Sequence, residues 1–194
     1  MLNAAAVLNW RFAPLEVRIT PRDTILYALS LGYGQDPLDP AQLAYVYEDG
    51  LKVVPSYAAV LAHPSGWLKA PGLGVTRNKV VHGEQHIVFH APLPSEGTIV
   101  GQARILGVDD KGADKGATIW IENILTHKES GTKLATIRRT SFCRADGGCG
   151  SLGEAMPAPE AVPTRAPDHV VTLETRPEQA LLYRLNGDYN PLHA

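Results

Sequence analysis

The sequence predicts an α+β fold in which a long antiparallel sheet curls around one helix. Between residues 86 and 144, four segments are rich in β-branched and aromatic residues, which is typical of strands. Their connections include "DDKGADKG" and "KESG", which have the chemistry of tight turns, so consecutive segments should pair as an antiparallel meander. Strands of about ten residues exceed the usual five or six. A sheet of such strands needs a large object to wrap, and a helix from the first half of the chain is the available candidate.

The first half of the chain supplies this helix and several loops. Residues 22–33, "RDTILYALSLGY", place apolar side chains near helical spacing and end among glycines, which predicts a short helix. "QDPLDPAQ" is a turn-rich loop, and "LAYVYE" at 43–48 is a candidate strand. A second helix could begin at Pro55, because the fixed backbone angle of proline suits a first turn.

The strands of the meander come after this half of the chain. The four segments are "HIVFHAPL" (86–93), "TIVGQARILGV" (98–108), "ATIWIENILTH" (117–127) and "TKLATIRRTSFC" (132–143). In the third segment Ile119 and Ile121 alternate with Trp120 and Glu122, so the two pairs should lie on opposite faces of the sheet.

The composition changes after the meander and indicates a domain boundary. Residues 146–168 are rich in Gly and Pro and lack an apolar pattern, as in a linker. Beyond the linker, "HVVTLETR" is a candidate strand, and "PEQALLYRLNG" predicts a helix from Pro177 to Gly187. We therefore expect a first domain at 1–145 and the start of a second at 169–194. One strand and one helix cannot bury a core alone, so the second domain would need further polypeptide.

Composition and charge exclude several classes of function. The net charge is −2 and no run of Lys or Arg occurs, so neither nucleic acid nor an anionic membrane is an expected partner. No stretch of about 18 apolar residues could span a bilayer. Cys143 and Cys149 do not make a disulfide framework or a metal knuckle. We expect a cytosolic enzyme or binding domain.

The end of the chain, "YRLNGDYNPLHA", holds the strongest chemical cluster. On an unbroken helix Asp188 and His193 would point about 140° apart. Gly187 ends the helix and Pro191 bends the chain, so a loop could bring the carboxylate and the imidazole together. Such a pair can move protons to and from a water, which Asn190 could orient. The alternative is that Asp188 only closes a turn after the glycine.

This cluster also resembles a known family. The spacing Gly-Asp-x-Asn-Pro-x-His at 187–193 resembles the signature of the hydratase-2, or MaoC-like, family, which includes the hydratase part of peroxisomal multifunctional enzyme type 2. The stretch "PGLGVTRNKVVHGEQHIVFHAPLPSEG" is similar to the amino-terminal half of the two-domain members. The resemblance implies hot-dog folds, each a long sheet around one helix. Residues 1–145 would be a complete, non-catalytic hot dog that holds the acyl chain, and 169–194 would start a catalytic one.

The family's activity implies roles for individual residues. Its members hydrate trans-2-enoyl-CoA to (3R)-3-hydroxyacyl-CoA, so the resemblance implies this lyase reaction in fatty-acid metabolism. Asp188 and His193 would hold and activate the water, and Asn190 would fix its geometry. The implied contacts with substrate are Tyr189, Pro191, Leu192, Thr126 and His127. Coenzyme A would enter only as part of the substrate, with no other cofactor.

Two residues of "HGEQ" have expected roles outside the chemistry. Glu84 matters in the family, and we expect it to accept backbone hydrogen bonds rather than to do chemistry, because buried carboxylates are normally paired. For His82 we likewise expect a role in stability or binding. With His86 and His90 it forms a series four residues apart, which on a helix would suggest a metal. The apolar run after His86 favours a strand, so no metal site is expected.

The sequence departs from the family pattern after His193. Members continue with the central helix and remaining strands of the second hot dog. We therefore expect completion by further polypeptide, either a missing carboxy-terminal half or another subunit, with a dimer as the expected assembly. The alternatives are a non-catalytic acyl-CoA-binding hot-dog subunit that needs a partner chain, and a hot-dog acyl-CoA thioesterase. The expected location is the cytoplasm of a bacterium, or the peroxisome in a eukaryote.

Overall fold

The computed structural model describes residues 2–158 and 160–190 and contains one six-stranded antiparallel sheet. The strands are β1 Leu15–Ile19, β2 Val80–Phe89, β3 Gly97–Asp110, β4 Ala117–His127, β5 Lys133–Cys143 and β6 Leu152–Gly153. The α-helices are α1 Ala4–Leu8, α2 Pro21–Ser30, α3 Pro40–Leu43 and α4 Gln179–Arg184, and 3-10 turns occupy Pro55–Ala59, Trp67–Lys69 and Arg77–Lys79. None of the helices in the described ranges is long and apolar enough to cross a bilayer.

The sheet has the strand order β1-β3-β4-β5-β2, and the short strand β6 pairs with β3 outside this order. The predicted meander is confirmed for β3, β4 and β5, which contain 14, 11 and 11 residues. The first predicted segment does not continue it, because β2 pairs with β5 at the far edge. After β2, His90 still donates its backbone N–H to Leu134, and the chain then crosses to β3 instead of turning tightly. Strand β1, which the sequence analysis did not predict, forms the other edge.

One face of the sheet is packed against α2 and the 3-10 turn Pro55–Ala59. Tyr27 of α2 and Tyr57 of the turn are buried side by side, with ring centroids 4.7 Å apart. Helix α2 begins at Pro21, after a capping box in which the Asp23 carboxylate accepts from the backbone of Thr20. The predicted helix at 22–33 is thus confirmed within a few residues. The helix expected from Pro55 is only a 3-10 turn.

The same face continues into a second apolar cluster under α1. Its buried members include Val7, Leu73, Ile119 and Cys143. Trp67 packs edge-on against the ring of Phe12, at 5.2 Å between centroids. The two clusters together cover the inner face of the long strands, so the inward-facing residues of β4 from Ala117 to Leu125 are all buried. Trp120 and Glu122, on the opposite face, are buried as well.

Two predicted strands are wrong. At 43–48 the chain forms helical turns instead, in which Tyr45 and Val46 donate backbone bonds to carbonyls three residues earlier. The reason is local: Asp39 caps α3 and Pro40 occupies its first turn. Residues 169–176 form no strand, since a strand needs a partner and none of the strands in the described ranges lies beside them. Val170 accordingly has 83% of its surface exposed.

The segment after the sheet returns to α2. Among residues 146–158 and 160–168, β6 is the only strand and no helix forms. Helix α4 is confirmed, although it begins at Gln179, two residues after Pro177. It packs against α2, where the rings of Tyr27 and Tyr183 lie 6.3 Å apart. The end of the described chain is therefore held beside α2.

Candidate functional site

A sharp corner comes after α4 and carries part of the chemical cluster. Gly187 adopts a φ of +101°, which a residue with a side chain rarely adopts, and the helix ends before it. The backbone N–H of Asn190 donates to Oδ1 of Asp188 over 3.2 Å. Nη1 of Arg184 donates to the Asn190 carbonyl over 2.9 Å. The chain at 187–190 is thus a loop, as its sequence predicts.

The remaining residues of the cluster are Pro191, Leu192 and His193. They lie outside the described residues, so the meeting of Asp188 with His193 stays a prediction. The bond between Asp188 and Asn190 is the turn-closing contact that a structural role requires. It also fixes the direction of the carboxylate, which a catalytic role would need as well.

Tyr189, an expected substrate contact, lies on the surface of this corner. The residue is 66% exposed, and its ring packs under the guanidinium of Arg184. The ring therefore remains accessible from solvent, and its contact with substrate stays a prediction.

A side chain next to the corner hydrogen-bonds a residue of α2. Nδ2 of Asn186 donates to the Ser30 hydroxyl over 3.2 Å and to the Tyr183 carbonyl over 3.1 Å. Ser30 is only 1% exposed and donates in turn to the Tyr27 carbonyl over 2.7 Å. The position of the corner therefore depends on α2 as well as on α4.

The two residues singled out in "HGEQ" face opposite sides of the sheet. A bulge at Gly83 separates them, so His82 pairs with Ser141 and Glu84 with Thr140 on β5. The pairing puts His82 on the inner face and Glu84 on the outer face. Glu84 is exposed, and no group in the described residues hydrogen-bonds its carboxylate, so the expected backbone bonds are not formed there.

The pKa of His82 depends on its burial and on two charged groups, Arg139 and Asp188. Burial, followed by the Arg139 guanidinium, lowers the pKa of His82, while the Asp188 carboxylate acts to raise it. Of these effects, the one from Asp188 is the smallest, so burial and Arg139 determine the direction in which the pKa of His82 moves.

Thr126 and His127, also expected to contact substrate, lie at the end of β4. Nδ1 of His127 hydrogen-bonds the Ser130 hydroxyl at 2.9 Å, and Nε2 lies 3.1 Å from the Glu129 carboxylate. Both contacts belong to the hairpin between β4 and β5. No hydrogen bond or ion pair within the described ranges joins these two residues to the corner.

A polar group on the inner face was missed by the sequence analysis. His63, from the loop after the 3-10 turn, lies with Asn123 of β4 and Arg139 of β5 around a small recess. Nη2 of Arg139 donates to the Pro64 carbonyl over 3.5 Å, and burial lowers the pKa of this guanidinium to about 10. The strand alternation carried the signal, because Arg139 is in phase with the buried Ala135 and Ile137.

The preceding arginine serves the opposite face. Arg138 and Arg104 both donate to the carboxylate of Glu122, over 2.8 Å each at their shortest, and Glu122 is 5% exposed. Burial acts to raise the pKa of Glu122, but the bonds from the two guanidiniums lower it overall. This pairing holds three strands in register and accounts for a buried charge. Across the described part of the chain, no three His, Cys, Asp or Glu side chains are placed to hold a metal.

Comparison with known proteins identifies the family and several relatives of this chain. Residues 18–145 match the family described as MFE-2 hydratase 2 N-terminal domain. The chain is 36% identical to enoyl-CoA hydratase ChsH3 of Mycobacterium tuberculosis, over 100% of this chain and 68% of that protein. It is 35% identical to the peroxisomal enoyl-CoA hydratase 2 of Arabidopsis thaliana, over 99% of this chain and 67% of that protein. The crystal structure of a MaoC-like dehydratase from Phytophthora capsici superposes with a TM-score of 0.79 at 27% identity, covering 97% of this chain and 66% of the other. The chain spans about two thirds of the length of each of these three proteins.

Proposed function

Because the chain belongs to the hydratase-2, MaoC-like family, we propose that it hydrates trans-2-enoyl-CoA to (3R)-3-hydroxyacyl-CoA in fatty-acid metabolism. The sheet that wraps α2 is the hot-dog fold of this family. The proposed enzyme is a hydro-lyase that needs no cofactor besides the coenzyme A of its substrate.

The observation that carries the proposal is the Gly-Asp corner held against α2 by Asn186 and Ser30. An acid–base pair works only where its geometry is fixed before the substrate arrives. The corner meets this condition for Asp188, whose carboxylate is oriented by the Asn190 N–H. His193 lies five positions later in the sequence and would complete the pair.

The proposed reaction adds the elements of one water across the double bond. Asp188 and His193 hold the water, and one of them takes a proton as the oxygen attacks C3. A proton is delivered to C2 on the same face of the double bond. The two groups act as one coupled unit, so which of them is the acid is left to kinetics. Asn190 would hold the water in the orientation from which its oxygen attacks C3.

We assign the chain to an amino-terminal domain at 1–145, a linker at 146–168 and the start of a catalytic domain at 169–194. The first domain would hold the acyl chain. Tyr57 and Ile137 are buried among other apolar side chains of its core, so an acyl chain would enter by displacing side chains or lie along its edge.

The direct test is a hydration assay with crotonyl-CoA, monitored through the loss of the enoyl thioester absorbance. Chiral analysis of the product should find the 3R enantiomer. The assay is run on the purified 194-residue polypeptide, and again with the polypeptide that matches the remaining third of its relatives. Absence of hydration in both arrangements would contradict the proposal.

Two other functions predict different results in the same experiment. A non-catalytic acyl-CoA-binding subunit that needs a partner chain would bind acyl-CoA alone without hydrating crotonyl-CoA, and hydration would appear only after the missing half is added. A hot-dog thioesterase would release free coenzyme A from saturated acyl-CoA and leave crotonyl-CoA unhydrated. The Asp/Asn/His spacing favours hydration over both.

The assembly and location complete the proposal. The relatives include a mycobacterial protein and a protein named as peroxisomal. We propose a cytoplasmic enzyme if the source is bacterial and a peroxisomal one if it is eukaryotic, working as a dimer. Sedimentation of the purified protein and imaging of a tagged copy would test these two points.

A further inference from the structure

Arg184 is the last residue of α4 and contacts the corner at 187–190 twice. Its backbone carbonyl accepts from the N–H of Gly187 over 3.1 Å. Its side chain reaches past Gly187, where Nη1 donates to the Asn190 carbonyl over 2.9 Å. A basic residue in the last turn of a helix usually bonds carbonyls of that helix or complements its dipole. Asn190 lies six residues further on and outside α4, so this bond holds the corner rather than the helix.

The guanidinium of Arg184 also covers the ring of Tyr189. Its Cζ lies 5.7 Å from the ring centroid, which is within the range of a cation–π contact. One planar group therefore holds two consecutive residues, the ring of Tyr189 by its face and the carbonyl of Asn190 by an N–H. Arginine suits this double contact, because its donors lie at the rim of a flat group and remain available when the face is stacked.

Packing contributes little to the conformation of the corner. Tyr189 and Asn190 are both exposed. Among the described residues, nothing lies within 4 Å of a Cβ built on Gly187, whose φ is +101°. Glycine at such an open position can adopt many other backbone angles. The closed form of the corner therefore depends on hydrogen bonds, and the one from Arg184 spans the corner from the helix to its last residue.

Asn190 passes this restraint on to Asp188. The carbonyl of Asn190 is held by Arg184, and its N–H donates to Oδ1 of Asp188 over 3.2 Å. The two bonds together fix both polar groups of the Asn190 backbone. Without the first bond Asn190 could turn, and the second bond would then be broken for part of the time. The direction of the Asp188 carboxylate thus depends on Arg184.

We propose that Arg184 is a positioning residue for the hydration reaction. By holding the Asn190 carbonyl it keeps the corner closed, so that the Asp188 carboxylate points in one direction before the substrate arrives. This inference rests on the proposed function only in taking Asp188 as a catalytic group.

The first test is the exchange of single backbone N–H groups with solvent, measured by NMR, which does not require catalysis. In Arg184→Met the N–H of Asn190 should exchange about 10-fold faster than in the wild type, because its bond to Asp188 is broken more often. The N–H groups of Leu185 and Gly187 donate to carbonyls of α4 and should keep their wild-type rates.

The second test is steady-state kinetics with crotonyl-CoA, in the arrangement of polypeptides that hydrates it. Arg184→Met should lower kcat about 10-fold and change KM by less than about 2-fold, because a misdirected acid–base group slows chemistry more than binding. Arg176→Met is the matched control for both tests. Arg176 lies before α4, where Nη1 is 3.9 Å from the Glu178 carboxylate, so this variant should keep the exchange rate of Asn190 and both kinetic constants.

Each outcome of the exchange measurement decides the proposal. Unchanged exchange at Asn190 in Arg184→Met would overturn it. An equal increase at Leu185 and Gly187 would also overturn it, since the variant would then only fray the helix. If Arg184→Met does not fold, Arg184→Lys is measured instead. Lysine keeps the charge but lacks the flat group, so the exchange at Asn190 must still rise about 3-fold, and an unchanged rate there would overturn the proposal.

The kinetic measurement separates this inference from the proposed function. Faster exchange at Asn190 with an unchanged kcat, or an equal loss of kcat in Arg176→Met, would overturn the inference alone. A wild type that hydrates nothing in either arrangement would sink the proposed function alone, because a selective effect on the Asn190 N–H would still show that Arg184 closes the corner.

Discussion

Nδ2 of Asn186 donates a hydrogen bond to the hydroxyl of Ser30, joining residues 156 positions apart in the sequence. Ser30 is at the end of α2 in the first domain, and Asn186 comes two residues before Asp188. The bond makes the first domain part of the machinery that positions the corner. A hydrogen bond of this kind stabilises by about 1 kcal/mol, which is enough to bias the position of a loop.

Ser30→Ala should release this contact and loosen the corner. We expect kcat for hydration to fall about 10-fold with little change in KM, because misplacing a catalytic group slows chemistry more than binding. Steady-state kinetics with crotonyl-CoA measures both constants. Ser56→Ala is the control, since the Ser56 hydroxyl also contacts a residue of α2, Tyr27, but does not touch the corner. Equal kinetic losses in both variants would mean a general effect on packing.

Asp188→Asn should lower kcat about 100- to 10,000-fold, as expected for the loss of an acid–base group. His193→Ala should do the same. The amide keeps the shape of the carboxylate, so the bond from the Asn190 N–H can still form and the fold should be unchanged. Asp168→Asn, in the exposed linker, serves as the control. Near-normal turnover in Asp188→Asn would leave only the turn-closing role.

His63 should make the first domain less stable in acid. Its pKa is about 3 in the folded protein and 6.5 in the unfolded chain, so below pH 6.5 only the unfolded state binds the proton. Stability is therefore complete above pH 6.5 and is lost as the pH falls towards 3. Between pH 7 and pH 5 the loss should be about 2 kcal/mol. Urea unfolding of the wild type and His63→Gln measures it.

Gln cannot take up the proton, so the variant should lose less stability than the wild type over this range. All other titrating groups are common to both proteins and cancel in the comparison. Parallel losses in the two proteins would show that His63 is not shielded from protonation.

Gly101→Ala should damage the loop that covers the recess. A Cβ at Gly101 would lie within 3.0 Å of the Ala62 carbonyl oxygen, the atom that accepts from Asn123. Ala62 itself has a φ of +43°, so its backbone has little freedom to move away. We expect a loss of about 3 kcal/mol or more by thermal or chemical unfolding.

Gly66→Ala separates backbone strain from this clash. Gly66 also has a positive φ, but nothing lies within 4 Å of an added Cβ. The control should cost about 1 kcal/mol. Equal losses in the two variants would show that the approach of the loop to β3 is not tight.

Limited proteolysis should cut first between residues 154 and 176. The described residues of this part, 154–158 and 160–176, are mostly exposed and form no strand or helix that would protect the backbone. Mass spectrometry of early fragments identifies the cut. If β3–β5 were cut before the part between residues 154 and 176, the assignment of a linker to that part would be contradicted.

Local patterns were enough to predict the centre of the fold. Alternation and turn residues identified β3, β4 and β5, because each strand pairs with its neighbour in sequence. The position of β2 beside β5 depends on the connection that carries the chain across the sheet from β2 to β3. No local sequence pattern predicts that connection. The strands expected at 43–48 and 169–176 have suitable composition, but a capped helix replaced the first and the second found no partner.

The sequence could predict the candidate site only where residues close together in the sequence determine the structure. The loop at Gly187 was predicted from the backbone preferences of glycine and proline, and the structure confirms it. The recess needed the loop at 62–64 to be placed over β4 and β5, which is a long-range arrangement. Arg139 could have been noticed as a charged residue in an inward-facing position, and that departure from a simple apolar stripe is typical of functional sites.

The bulge at Gly83 divides β2 into two halves whose side chains alternate out of step with each other. Without the bulge, regular alternation over these three residues would put His82 and Glu84 on the same face, so the bulge is what allows His82 to share a face with Arg139. Deleting Gly83 would leave a regular ladder in which His82 still pairs with Ser141 and Glu84 with Thr140, so both side chains would keep their faces. A one-residue gap at Gly83 is therefore neutral for this surface in an alignment or redesign, whereas a gap elsewhere in the strand would exchange the faces on one side of it.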